Sequence, residues 1–135
     1  METRSLGRSG LRVSALGLGT MTWGRDTDAV DASAMTSEFL DAGGAVLDTA
    51  AGYSDGAAEE VIGSLLAGTI NREHGVIVTK AVVLTRRAER AVVDASRGTL
   101  LDSLDSSLKR LGTDHVDLFL VQSPDPGTPL EETAS

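Results

Sequence analysis

The apolar positions of the chain gather into four short runs: VSALGLG from Val13, AVLDTA from Ala45, GVIVTK from Gly75 and VDLFLVQ from Val116. Each is nearly continuous in apolar character and lacks the strict alternation of a half-wet strand, so the four read as strands covered on both faces. They recur at intervals of roughly thirty to forty residues, the length of a strand, a crossover helix and the return to a parallel neighbour. Between them the period becomes helical. Asp26 or Thr27 is placed to cap a first helix with apolar positions Val30, Ala34 and Leu40, stopped by Gly43 and Gly44. A second helix is expected from about Ala57 to Gly68, with Glu59 and Glu60 near its positive end and Ile62, Leu65 and Leu66 on one side. The third follows Ser96 and repeats Leu100, Leu104 and Leu108, widened by Leu101 and Leu111 and ended by Gly112. Asp105 and Lys109 are i,i+4 partners on it, a minor surface contribution.

Two segments stand outside this rhythm. The opening METRSLGRSGLRV, with a turn at Arg8 to Gly10, reads as a short N-terminal hairpin. Near the other end Thr128, Pro129, Leu130 and Glu131 combine a capping residue, an initial proline and a capping-box glutamate, which together announce a new helix. The chain stops four residues later, so the expectation is one domain over residues 1–135 that breaks off inside a repeating parallel β/α architecture.

Composition narrows the function classes. A length of 135 residues is enough for one core, and 41% hydrophobic with 24% charged residues argues against both disorder and a membrane protein. No apolar run reaches bilayer length and the start lacks the apolar core of a signal peptide, which points to the cytoplasm. Without cysteine there is no disulfide, no thiolate metal site and no thiol nucleophile. His74 and His115 are far apart and lack a partner at ligand spacing, so no metal is expected. A formal charge of −8 argues against nonspecific nucleic-acid binding. Arg86, Arg87, Arg90 and Arg97 form a local basic cluster, best read as a solvated loop and helix start, with an anion or cofactor-phosphate contact as the minority reading.

In parallel α/β folds the site lies at the carboxyl ends of the strands. The first run ends in Gly19, Thr20, Met21 and Trp23, the second in Asp48 and, after a small-residue turn, Tyr53. The third ends in Thr79 and Lys80, the fourth in Gln122 and Ser123. A phenol, an ammonium and a carboxylate converging from neighbouring strands make a proton-transfer device. A free phenol titrates near pH 10, about three units too high for easy exchange at neutrality, and a neighbouring ammonium favours its ionised form. An aspartate keeps that ammonium charged and in place. Taken singly, Asp48 reads as a turn or helix cap, Tyr53 as a half-buried surface aromatic and Lys80 as a snorkelling strand end. Together, at the ends of consecutive strands, they read as a site.

These residues sit in segments that resemble the aldo-keto reductase family. GLGTMTWG from Gly17, LDTAAGY from Leu47, EEVIG from Glu59, VTK from Val78, SLKRLGTDHVDLFLVQSPD from Ser107 and TPLEET from Thr128 follow the family's order and spacing over nearly the whole chain. The resemblance implies a (β/α)8 barrel that reduces carbonyls with a nicotinamide cofactor, usually NADPH. It implies that Asp48, Tyr53 and Lys80 are three members of the catalytic tetrad and that Asp48 also touches the nicotinamide ribose. Gly19, Thr20 and Met21 then lie beside the cofactor, and Trp23 falls where aromatics line the substrate pocket, a place a core tryptophan would fill as well. The fourth tetrad position, a histidine in the family, is Gln122 here. A glutamine amide can donate a hydrogen bond to a carbonyl oxygen but cannot titrate. A complete barrel needs about 250 residues, and this chain supplies four of eight units. The family's pyrophosphate and adenosine-phosphate contacts come mainly from later strands, and open half-barrel edges imply self-association.

Two rival readings remain at the level of sequence. A Rossmann-type dinucleotide-binding domain is weakly matched: Gly17 and Gly19 fit G-x-G-x-x-G, but position 22 is Thr22 and the helix starts late. A non-catalytic cofactor-binding or regulatory relative of the reductases would keep the fold without turnover, and Gln122 favours it over an unrelated enzyme.

Overall fold

The computed structural model describes residues 1–81, 84–87 and 90–134. The N-terminal hairpin is present as β1 (Thr3–Ser5) and β2 (Arg12–Ser14), antiparallel with Thr3 opposite Ser14. The run from Val13 is therefore not one strand. It divides at Ala15 and Leu16, and the parallel sheet begins only with β3 (Gly17–Gly19). Ser14 performs the junction: its hydroxyl donates to the Leu16 carbonyl and accepts the amides of Ala45 and Val46. The hairpin is thereby fastened to the amino-terminal end of the strand that begins at Val46.

From β3 the chain alternates. It runs through α1 (Ala29–Asp41), β4 (Val46–Asp48), a 3-10 turn (Tyr53–Gly56), α2 (Ala57–Leu66) and β5 (Val76–Ala81). A second antiparallel hairpin follows, β6 (Leu84–Arg87) and β7 (Arg90–Val93), before α3 (Arg97–Leu111), β8 (Leu118–Val121) and the short α4 (Leu130–Thr133). The four strands β3, β4, β5 and β8 form one parallel sheet in chain order. A Rossmann sheet reverses direction at a switch point; this one does not, so that reading is corrected. The side chains of Arg86, Arg87 and Arg90 lie outside the described residues, while Arg97 opens α3 and is exposed.

Strand alternation sorts the sheet into two faces. Leu47 and Ile77, cross-strand partners, are buried under the helices with Ile62, Leu65, Leu111, Ala32, Ala58 and Trp23. Burying each large aliphatic side chain contributes about 1.5–3 kcal/mol. Val46, Asp48, Val76, Val78 and Lys80 take the opposite, inner face. The helices follow the sequence pattern unevenly. On α2, Ile62 and Leu65 are buried as expected. On α1 the cap is Asp28, whose carboxylate accepts the amides of Val30 and Asp31, not Asp26 or Thr27. Its buried positions are Ala32 and Thr36, whereas Val30 and Ala34 are exposed. Thr36 fits an apolar slot because its hydroxyl donates to the Ala32 carbonyl one turn back. Helix α3 buries Leu100 and Leu111 but leaves Leu101 exposed. At α4 the cap is Pro129, while the Thr128 hydroxyl donates to Asp125 instead.

Candidate active site

Asp48 ends β4 and pairs with Val78; Lys80 lies two residues further along β5, on the same face. The ladder does not stop with the strand. The Thr49 amide donates to the Val78 carbonyl at 2.8 Å and the Ala51 amide to the Lys80 carbonyl at 3.2 Å, so residues 49–51 stay aligned with β5. The chain then turns, the Tyr53 amide donating to the Ala50 carbonyl, and delivers the phenol beside the lysine. Lys80 Nζ donates to the Thr49 carbonyl at 2.8 Å and to the Tyr53 hydroxyl at 3.1 Å, and pairs with Asp48 Oδ1 at 2.8 Å. An ammonium has three N–H bonds, and each has an acceptor here. The lysine side chain is 15% exposed and that of Asp48 39%, a half-sheltered pair open on one side.

This geometry has a direct consequence for the phenol. Because Lys80 donates into the Tyr53 oxygen, the phenol's own proton is directed elsewhere, and among the described residues no acceptor takes it. The turn that carries Tyr53 is also unusual: Ser54 (φ +51°) and Asp55 (φ +54°) are left-handed, followed by Gly56 at φ +97°. Left-handed backbone costs a non-glycine residue roughly 1–2 kcal/mol, and such strain persists where the surroundings over-determine it.

The other expected residues divide. Gly19 is the register partner of Asp48, and the Thr20 amide and hydroxyl both donate to the Asp48 carbonyl, at 3.0 and 3.1 Å. Thr20 is fully buried; Met21, next to it, is 59% exposed on the rim. Trp23 is 1% exposed and packs in the core cluster beneath the helices. Gln122 lies one residue beyond β8, where Lys80 faces Leu120; by alternation it falls on the Lys80 side. It is exposed, and among the described residues no hydrogen bond joins it to Asp48, Tyr53 or Lys80. The loop after it is pinned by Asp125, which accepts from the Thr128 hydroxyl and the Ala95 and Gly127 amides; these bonds hold its carboxyl below the usual carboxylate range.

Beneath the site lies a group that sequence reasoning assigned only to the helix dipole. Glu59 is fully buried, accepting from Thr79 Oγ1 at 2.6 Å and from Arg110 Nε at 2.7 Å. Among the described residues no cluster of three or more His, Cys, Asp or Glu side chains is placed to hold a metal ion. None of the described helices is long and apolar enough to cross a membrane.

Asp48, Tyr53 and Lys80 thus share one rim of a parallel sheet whose four strands are joined by helices. A sequence model of the Aldo/keto reductase family matches residues 15–135, and the chain belongs to that family. It is 34% identical to the aldo-keto reductase YhdN of Bacillus subtilis, over 99% of this chain and 41% of that protein. It is 37% identical to a protein of Oryza sativa subsp. japonica named "probable voltage-gated potassium channel subunit beta", over 98% of this chain and 40% of that one. Among solved structures it superposes on the holo form of the aldo-keto reductase AKR11C1 from Bacillus halodurans. The TM-score is 0.84 at 34% identity, covering 98% of this chain and 44% of that chain. The chain thus spans about two fifths of the length of the curated relatives it matches.

Proposed function

We propose that the chain carries the proton-donor side of a site that reduces small aldehydes or ketones to alcohols, with NADPH as cofactor, in the cytoplasm. One observation carries this reading: Lys80 Nζ bonds Tyr53, Asp48 and the Thr49 carbonyl at once. Tyr53 gives its proton to the carbonyl oxygen, which gains negative charge as the bond is reduced. Lys80 stabilises the phenolate left behind, and Asp48 holds the ammonium at that spot. Gln122 orients the same oxygen through its amide N–H without exchanging a proton.

The rim fits the nicotinamide end of the cofactor. An added Cβ at Gly19 would meet nothing within 4 Å, and Met21 is exposed beside it, so space lies open in front of Asp48. Asp48 engages Lys80 through Oδ1, which leaves its other oxygen to accept a ribose hydroxyl. Thr20 holds the Asp48 backbone from below. When bound, NADPH supplies the hydride. The partners proposed are therefore a small carbonyl compound and, through the open sheet edges, further copies of the chain.

The test is NADPH-dependent aldehyde reduction by the purified chain and its variants. Tyr53→Phe is expected to lower kcat by about 10²–10⁴-fold, the usual range for losing a general acid. Gln122→His is expected to raise kcat/KM. Turnover that is indifferent to Tyr53→Phe would overturn the assignment. Cofactor fluorescence quenched on titration, with no turnover at all, would select the non-catalytic cofactor-binding reading instead.

A further inference from the structure

We infer that Glu59 and Arg110 are positioning residues for the Tyr53–Lys80 pair, acting from beneath the site on both segments that carry it. The observations converge on one buried carboxylate. Glu59 Oε1 takes the hydroxyl of Thr79, the residue immediately before Lys80 on β5. Glu59 Oε2 takes Arg110 Nε and pairs with Arg110 Nη2, both at 2.7 Å. The aliphatic stem of Arg110 then lies against Gly56, the last residue of the turn that starts at Tyr53. A Cβ built at Gly56 would stand 2.8 Å from Arg110 Cδ. One carboxylate thus links the lysine strand to the underside of the tyrosine turn.

Stability alone does not account for this arrangement. Taking a carboxylate and a guanidinium out of water is costly, and well-packed apolar residues in their place are commonly neutral or stabilising. Glu59 is nonetheless completely enclosed, with α2, α3 and β5 each supplying one member of the network. Ser54, Asp55 and Gly56 are all left-handed, and the last of them, Gly56, lies against the Arg110 stem, which braces that end of the turn. Loss of the ion pair frees Arg110, releases the turn and lets the Tyr53 oxygen move away from Lys80 Nζ.

Calling the pair catalytic rests on the function proposed above, but its positioning can be read without turnover. The chain has one tyrosine and one tryptophan, so aromatic NMR gives Tyr53 as the reporter of the site and Trp23 as the reporter of the core. Glu59→Gln keeps an acceptor for Thr79 and removes the charge that holds Arg110. Arg110→Lys keeps the charge and loses the planar fork. In both, the Trp23 signals are expected to stay near wild type, while the Tyr53 ring signals shift and broaden toward those of Lys80→Met. Folded Glu59→Gln or Arg110→Lys with unmoved Tyr53 signals would overturn the inference. Collapse of the Trp23 signals in both variants would overturn it too, because the network would then be purely architectural. A Tyr53→Phe enzyme with undiminished turnover would sink the functional reading and leave the NMR result standing.

Discussion

At the scale of single residues, the turn after Tyr53 is where local chemistry and local backbone disagree. Ser54 is left-handed at φ +51°, and its hydroxyl oxygen is buried with no hydrogen-bond partner among the described residues. Glycine would remove both penalties. Relief of the backbone strain is worth roughly 1–2 kcal/mol, and glycine returns about 0.5–1 kcal/mol of that as chain entropy lost on folding. Ser54→Gly is therefore expected to stabilise by about 1 kcal/mol and raise Tm by about 3–5 °C, measured by thermal unfolding; a lower Tm would show that the strain is not where the backbone angles place it. Asp48 and Lys80 were legible in the sequence because they end successive apolar runs, Tyr53 because a short turn follows the second run, and the family resemblance joined the three in one role. Glu59 was not. An acid in the first turn of a helix already has an explanation in the dipole, and nothing in the sequence says that this turn lies over Thr79.

At the scale of elements, the contact between α2 and α3 decides whether that network can form. Gly63 sits inside α2, where glycine costs about 1 kcal/mol relative to alanine. Its presence is explained by the neighbour: a Cβ there would stand 2.4 Å from the Arg110 carbonyl oxygen and 3.1 Å from Leu111 backbone atoms. Backbone cannot rotate aside as a long side chain can, so the two helices would have to separate. Gly63→Ala is expected to destabilise by about 1–3 kcal/mol despite its better helix propensity, seen as a lower urea midpoint by Trp23 fluorescence; a higher midpoint would mean that the helices slide apart at no cost. Helix existence was legible throughout, but faces were not always. On α1 a threonine that bonds its own backbone takes a core position and the more apolar Val30 is left in water. The β6–β7 hairpin escaped notice because Ala88 and Glu89, between its strands, carry none of the glycine or asparagine that marks a tight turn.

At the scale of the whole chain, the sequential order β3-β4-β5-β8 was readable because each parallel step is bridged by a helix, and among the described residues the same order leaves β3 and β8 as edges with no further strand beside them. Strand β8 exposes Leu120 and Val121, each 40% accessible. The β8 edge of one copy can accept the β3 edge of another in parallel, a head-to-tail contact that closes at eight strands or continues into larger assemblies. Two terms oppose each other. Unpaired backbone and apolar surface at the edges favour association, whereas a formal charge of −8 on each copy resists it. The charge term is screened as the Debye length falls from about 30 Å at 0.01 M salt to about 8 Å at 0.15 M, while the apolar term is not weakened by salt. Sedimentation velocity on the 135-residue chain is therefore expected to show a mean mass that rises both with protein concentration and with salt over that range. A single monomeric species throughout would mean that the edges are already protected within the chain. Association that weakens as salt is added would place the contact on charged side chains instead, and the strand edges would lose their claim to it.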